Sequence, residues 1–61
     1  MAPNRADILA FRGLTYHHLE QYESALKDYE AALKVDKEYA TAYYNRGLTY
    51  SAQGEHKAAI K

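Results

Sequence analysis

The sequence predicts an all-α chain of stacked helical hairpins. Three observations carry the prediction. The pentapeptide RGLTY occurs at residues 12–16 and again at 46–50, a spacing of 34, and repeats of 20–50 residues mark stacked supersecondary units. Only Pro3, Gly13, Gly47 and Gly54 are helix-breaking types, while the stretches between them are rich in Ala, Leu, Glu, Lys and Arg, which favour helix. Apolar residues recur at helical rather than strand spacing.

In the first helix Asn4 is placed to cap the free backbone donors and Asp7 stands near the positive end of the dipole. Leu9, Arg12, Gly13 and Tyr16 fall at i, i+3, i+4 and i+7 on one face. A second helix carries Tyr22, Ala25, Leu26, Tyr29, Ala32 and Leu33 on its apolar stripe, with Glu23–Lys27 and Glu30–Lys34 as solvated i,i+4 pairs. The third, from about 39 to 53, repeats the first face with Tyr43, Arg46, Gly47 and Tyr50, and Gly54 is expected to end it in the left-handed conformation.

Shifting the chain by 34 against itself aligns eight identical residues: the RGLTY five, Ala6 with Ala40, Ala25 with Ala59, and Lys27 with Lys61. HKAAIK at 56–61 then matches YESALK at 22–27, the opening of the second helix. The expected architecture is one module over 1–61, with a full unit at 6–39 and a partial one at 40–61. It is a helix-turn-helix repeat, an α-solenoid fragment of three antiparallel-packed helices plus a truncated fourth.

Length and composition exclude several functions. A chain of 61 residues hides only about 60% of its unfolded surface, and no cysteine is present to staple it. Eight Lys and Arg balance eight Asp and Glu, so there is no cationic field to draw nucleic acid or an anionic membrane. No apolar run approaches a membrane span, and the first ten residues lack the pattern of a secretory signal. The absence of cysteine fits a reducing compartment, so a cytoplasmic location is expected.

These residues resemble the tetratricopeptide repeat, a 34-residue helix-turn-helix with the pattern W-x2-L-G-x2-Y, then A-x3-F, then P. The chain reads Leu9-x2-Arg12-Gly13-x2-Tyr16, Tyr43-x2-Arg46-Gly47-x2-Tyr50 and Ala25-x3-Tyr29. Gly13 and Ala25 are small where helices approach closely, and Tyr16 and Tyr29 fill the wider gaps. Two turns depart from the pattern: Lys37 stands in VDKEY where proline is usual, and LEQY at 19–22 has no glycine. Helices fused across Glu20–Gln21 or Asp36–Glu38, giving a swapped dimer, would meet no proline penalty of about 3 kcal/mol. The other outcome is that the apolar stripes enforce both turns.

The resemblance implies a scaffold whose concave face holds a peptide or protein partner. Carried onto this chain, that face would use Phe11, Leu14, His17 and His18 from the first helix and Tyr44, Asn45, Leu48 and Ser51 from the third. Phe11, Leu14, Tyr44 and Leu48 would supply apolar area, and the Asn45 amide can both donate to and accept from a peptide backbone. Alternatively, Phe11 and Leu14 contact a neighbouring unit or another copy. One subclass of the family clamps a terminal carboxylate with lysine, asparagine and arginine; Asn45 occupies the position of one asparagine, but Ala10 and Leu14 stand at the matching sites of the first helix in place of Lys and Asn.

No enzyme, cofactor or metal is expected. His17 and His18 project about 100° apart on a helix and cannot share an ion, and Ser24 and Ser51 have no ordered base. Arg12 and Arg46 either hold an acidic ligand or lay their stems on the surface with wet heads. Tyr43, Gly47 and Tyr50 would lack a complete covering helix, so self-association through them is expected, giving a homo-oligomer.

Overall fold

A computed structural model describes residues 5–60, with side chains up to residue 57. Three helices follow one another: α1 (Arg5–His18), α2 (Tyr22–Val35) and α3 (Ala40–Ile60). The described residues contain no strand. The Asn4 cap expected at the start of α1 lies outside the described residues.

The α1–α2 hairpin turns through a Schellman motif. Gln21 N donates to Tyr16 O at 2.8 Å and Glu20 N to His17 O at 2.9 Å, which satisfies carbonyls the helix end would leave open. The motif needs one left-handed residue, and Glu20 supplies it with φ 63. A side chain in that conformation costs about 1–2 kcal/mol, which glycine avoids. Glu20→Gly is therefore expected to stabilise the fold by about 1 kcal/mol. Urea denaturation measures it, and an unchanged midpoint would mean that the turn is built differently.

Asp36 makes the second turn without proline. Its backbone leaves the helix at φ −142, ψ 101 while its N–H still donates to Ala32 O, and its Oδ1 accepts from Glu38 N at 3.0 Å. This Asx arrangement reverses the chain as a proline would. Both turns open to fusion thus form, and the helices are not fused at Glu20–Gln21 or at Asp36–Glu38.

The expected fourth helix needs correction. Gly54 does not end α3, which runs on to Ile60, and no described glycine has positive φ. Gly54 is the repeat counterpart of Glu20, so the turn forms where the residue is strained and fails where it would be free. Packing is the reason. After Glu20, α2 buries Ala25, Asp28, Tyr29 and Ala32, whereas Glu55, His56 and Lys57 are exposed. Among the described side chains after Gly54 none is buried to offset the lost helical hydrogen bonds, and propagation wins over a glycine penalty of about 1 kcal/mol.

The interior is built from small residues. Ala6, Ala10, Ala32 and Ala42 form a buried cluster, with Leu9, Leu33 and Tyr39 against it. Alanine brings the helix backbones close, and of the three glycines Gly13 sits at such a close approach. A Cβ there would lie 2.6 Å from Tyr29 Cε1 and 3.2 Å from Ala25 O. Tyr29 and Thr49 are the largest fully buried side chains.

Candidate functional site

The two RGLTY copies occupy different surroundings, and the difference defines the available surfaces. In α1, Arg12 reaches across to α2, where Nε donates to Asp28 Oδ2 at 2.8 Å and Nη2 to Asp28 Oδ1 at 2.9 Å. Asp28 is only 6% exposed; a carboxylate so placed requires such a two-pronged partner. The hydrogen bonds and charge of Asp28 raise the Arg12 pKa above its ordinary value. Arg12 is thereby an internal brace. Its counterpart Arg46 lies over the Tyr43 ring, 5.2 Å from the centroid.

Sequence reasoning missed Asp28. The signal was its position, i+3 from Ala25 and i−4 from Ala32, which puts a carboxylate on the apolar stripe of α2. A charge on that face calls for a cation on the facing helix.

His17 joins α1 to α3. Its Nδ1 is 2.8 Å from Thr49 Oγ1, and its ring meets Tyr22 and His18 edge-on, each at 5.6 Å between centroids. Tyr22 in turn contacts His56 on α3. Among the described residues no group of three or more His, Cys, Asp or Glu is placed to hold a metal ion.

Beside Thr49, the Tyr29 hydroxyl is sealed from solvent and has no hydrogen-bond partner of full geometry. Burial raises its pKa, with Thr49 nearby opposing. Tyr39 is raised too, first by its hydrogen bond to Asp7 and then by burial. In the unfolded chain both ionise near the ordinary value of about 10. Since the folded values lie higher, stability is undiminished below about pH 10 and falls as pH rises beyond it. Helical circular dichroism from pH 7 to 12 is expected to hold steady and then drop above about pH 10, with Tyr29→Phe moving the drop upward. A loss beginning near neutrality would contradict this.

Between α1 and α3 lies an open groove of about 260 Å³. It is lined by Asp7, Ala10, Phe11 and Leu14 on α1, by Tyr39 just before α3, and by Thr41 and Asn45 on α3. Phe11 is 73% exposed, whereas Asn45 is 8% exposed. The volume is below the roughly 300–1,000 Å³ of an enclosing small-molecule pocket. Tyr44 and Leu48 are exposed on α3 outside the groove lining, Ser51 and His18 are exposed, and His17 is turned to Thr49. Tyr43, Gly47 and Tyr50 lie on a separate exposed face of α3.

A helical hairpin with a third helix packed on it and an open groove between first-type helices define a helical-repeat module. The chain belongs to the tetratricopeptide repeat family: a family model described as TPR repeat matches residues 13–54. It is 32% identical over 59 residues to the small glutamine-rich tetratricopeptide repeat-containing protein 2 of Saccharomyces cerevisiae, a match covering 97% of this chain and 17% of the relative. The chain thus spans about a sixth of that relative's length. No solved structure matches it. Repeats of this family mediate protein–protein interaction and are typically non-catalytic. No helix among the described residues is long and apolar enough to cross a membrane.

Proposed function

We propose that the chain binds an extended segment of a protein partner in the groove between α1 and α3. The observation that carries this is Asn45. It lines the groove and is 8% exposed, and its amide forms no side-chain hydrogen bond among the described residues. The amide is not sealed from solvent, so it is open to the groove, where a peptide bond offers the matching donor and acceptor. Phe11 and Leu14 cover the partner's apolar side chain, and Tyr44 and Leu48 extend the apolar surface along α3. His17, 2.8 Å from Thr49, ties α1 to α3 beside this surface.

A library of random dodecapeptides displayed on phage, selected on the immobilised chain, tests this reading. Enriched peptides are expected to bind the wild-type chain and to lose about ten-fold or more in affinity to Asn45→Leu and to Phe11→Ala, with helical content unchanged. Peptides whose binding survives both substitutions would contradict it.

A second reading, self-association through α3, is supported by the exposure of Tyr43 at 48% and Tyr50 at 52%. Above Gly47 there is nothing within 4 Å. The homo-oligomer belongs to this reading.

A further inference from the structure

Because α3 continues through Gly54, its exposed face is longer than the repeat alone provides. Tyr43, Gly47, Tyr50 and Gly54 lie on one helix, and at 100° per residue they fall within about 60° of arc. The two tyrosines are seven residues apart, and so are the two glycines. Tyr43 and Tyr50 are 48% and 52% exposed, and a Cβ on either Gly47 or Gly54 would meet nothing within 4 Å. The face is a row of large knobs alternating with flat, open backbone.

This row is complementary to itself. When two copies of α3 run antiparallel, residues at the same height have numbers with a constant sum. Tyr43 with Gly54 and Tyr50 with Gly47 share one sum, 97. A single two-fold axis, passing between positions 48 and 49, therefore places every tyrosine of one copy on a glycine of the other. The same contact already exists inside the molecule, where Tyr29 packs on Gly13 across antiparallel helices so closely that a Cβ would stand 2.6 Å from the ring.

We infer that the chain pairs with a second copy of itself through antiparallel α3 helices, with Tyr43 and Tyr50 of each seated on Gly54 and Gly47 of the other. The inference rests on the self-association reading above and gives it a register. Half-exposed tyrosines each have about 100 Å² left to bury, so the four rings contribute roughly 400 Å². That is a fraction of the about 1,200–2,000 Å² of a stable interface. The dimer is accordingly weak and is expected at micromolar to millimolar rather than nanomolar concentration. Arg46 and Lys57 lie along one edge of the row, and the two-fold sets that edge of both copies side by side. Added salt screens these cations and strengthens the dimer.

Light scattering of the full chain across this concentration range, with and without added salt, first measures whether mass rises. Gly47→Leu, whose side chain enters open space in the monomer, is expected to keep its helical signal and weaken the dimer about ten-fold or more. Cysteine cross-linking then reads the register, without background, since the chain has no cysteine of its own. A mixture of Tyr43→Cys and Gly54→Cys chains is expected to form the mixed disulfide under mild oxidation. Neither variant is expected to link to itself, because two copies of position 43, or of 54, stand about 16 Å apart along the pair. A monomer at every concentration would overturn both this pairing and the self-association reading. Rising mass with like-to-like disulfides, with no disulfide, or with no response to Gly47→Leu would overturn the pairing alone.

Discussion

Gly13→Ala is expected to destabilise the fold by about 1–3 kcal/mol, although alanine is the better helix former. The new Cβ would stand 2.6 and 2.9 Å from the Tyr29 ring and 3.2 Å from the Ala25 carbonyl. Tyr29 is fully buried, so its ring has no open space to swing into, and the carbonyl belongs to a helix backbone. In a chain this small, each kcal/mol lowers Tm by about 4–8 °C. The same change at the repeat-equivalent Gly47 has the opposite sign. Nothing lies within 4 Å of its Cβ position, so Gly47→Ala is expected to stabilise α3 by about 0.5–1 kcal/mol. Thermal melts of the two variants at low concentration decide the matter, and shifts of the same sign would show that the two glycines are not in different environments.

Tyr29 is the second position where a large effect is expected. Truncation to alanine removes the largest fully buried side chain and opens a cavity beside Gly13, with a cost of about 3–5 kcal/mol. A small domain without disulfides has about that much stability to lose, so Tyr29→Ala is expected to be largely unfolded at room temperature. Tyr29→Phe keeps the ring and removes only a sealed hydroxyl that lacks a partner. It is expected to be neutral or to stabilise by up to about 1 kcal/mol. Circular dichroism and urea titration of the pair test this, and a Phe variant as damaged as the Ala variant would reveal a hydrogen bond at the hydroxyl.

Much of the fold was legible because repeated residues impose repeated geometry. The periodicity of Ala25, Tyr29 and Ala32 identified the buried side of α2, and the resemblance to the repeat pattern, which puts small residues at Gly13 and Ala25, indicated where the helices touch. The turns were less legible, since each uses a residue whose type does not announce its role. Glu20 adopts φ 63 only because α2 packing holds it there, and Asp36 replaces a proline through a side-chain oxygen. Gly54 misled for the complementary reason: glycine permits a left-handed bend but does not compel one.

Legibility of the surfaces was uneven. Identical RGLTY letters cannot tell that Thr15 is exposed while Thr49 is buried, or that Arg12 finds Asp28 while Arg46 settles on Tyr43. Those outcomes depend on which neighbours are present, a property of the assembled helices. Phe11, Leu14 and Asn45 meet in the groove because residues 11 and 45 occupy the same repeat position. Asp7 and Thr41 also share a repeat position, whereas Tyr39 joins them through the Asp36 turn, whose geometry the sequence pattern did not contain.

The groove and the tyrosine face lie on different sides of α3, so one titration separates them. Amide chemical shifts of the isotope-labelled chain, kept dilute, would be followed as a selected groove peptide is added. The account predicts that the largest changes cluster at Asp7, Phe11, Leu14, Tyr39 and Asn45 and leave Tyr43, Gly47 and Tyr50 in place. Changes centred on Tyr43, Gly47 and Tyr50, with the groove residues unmoved, would contradict it.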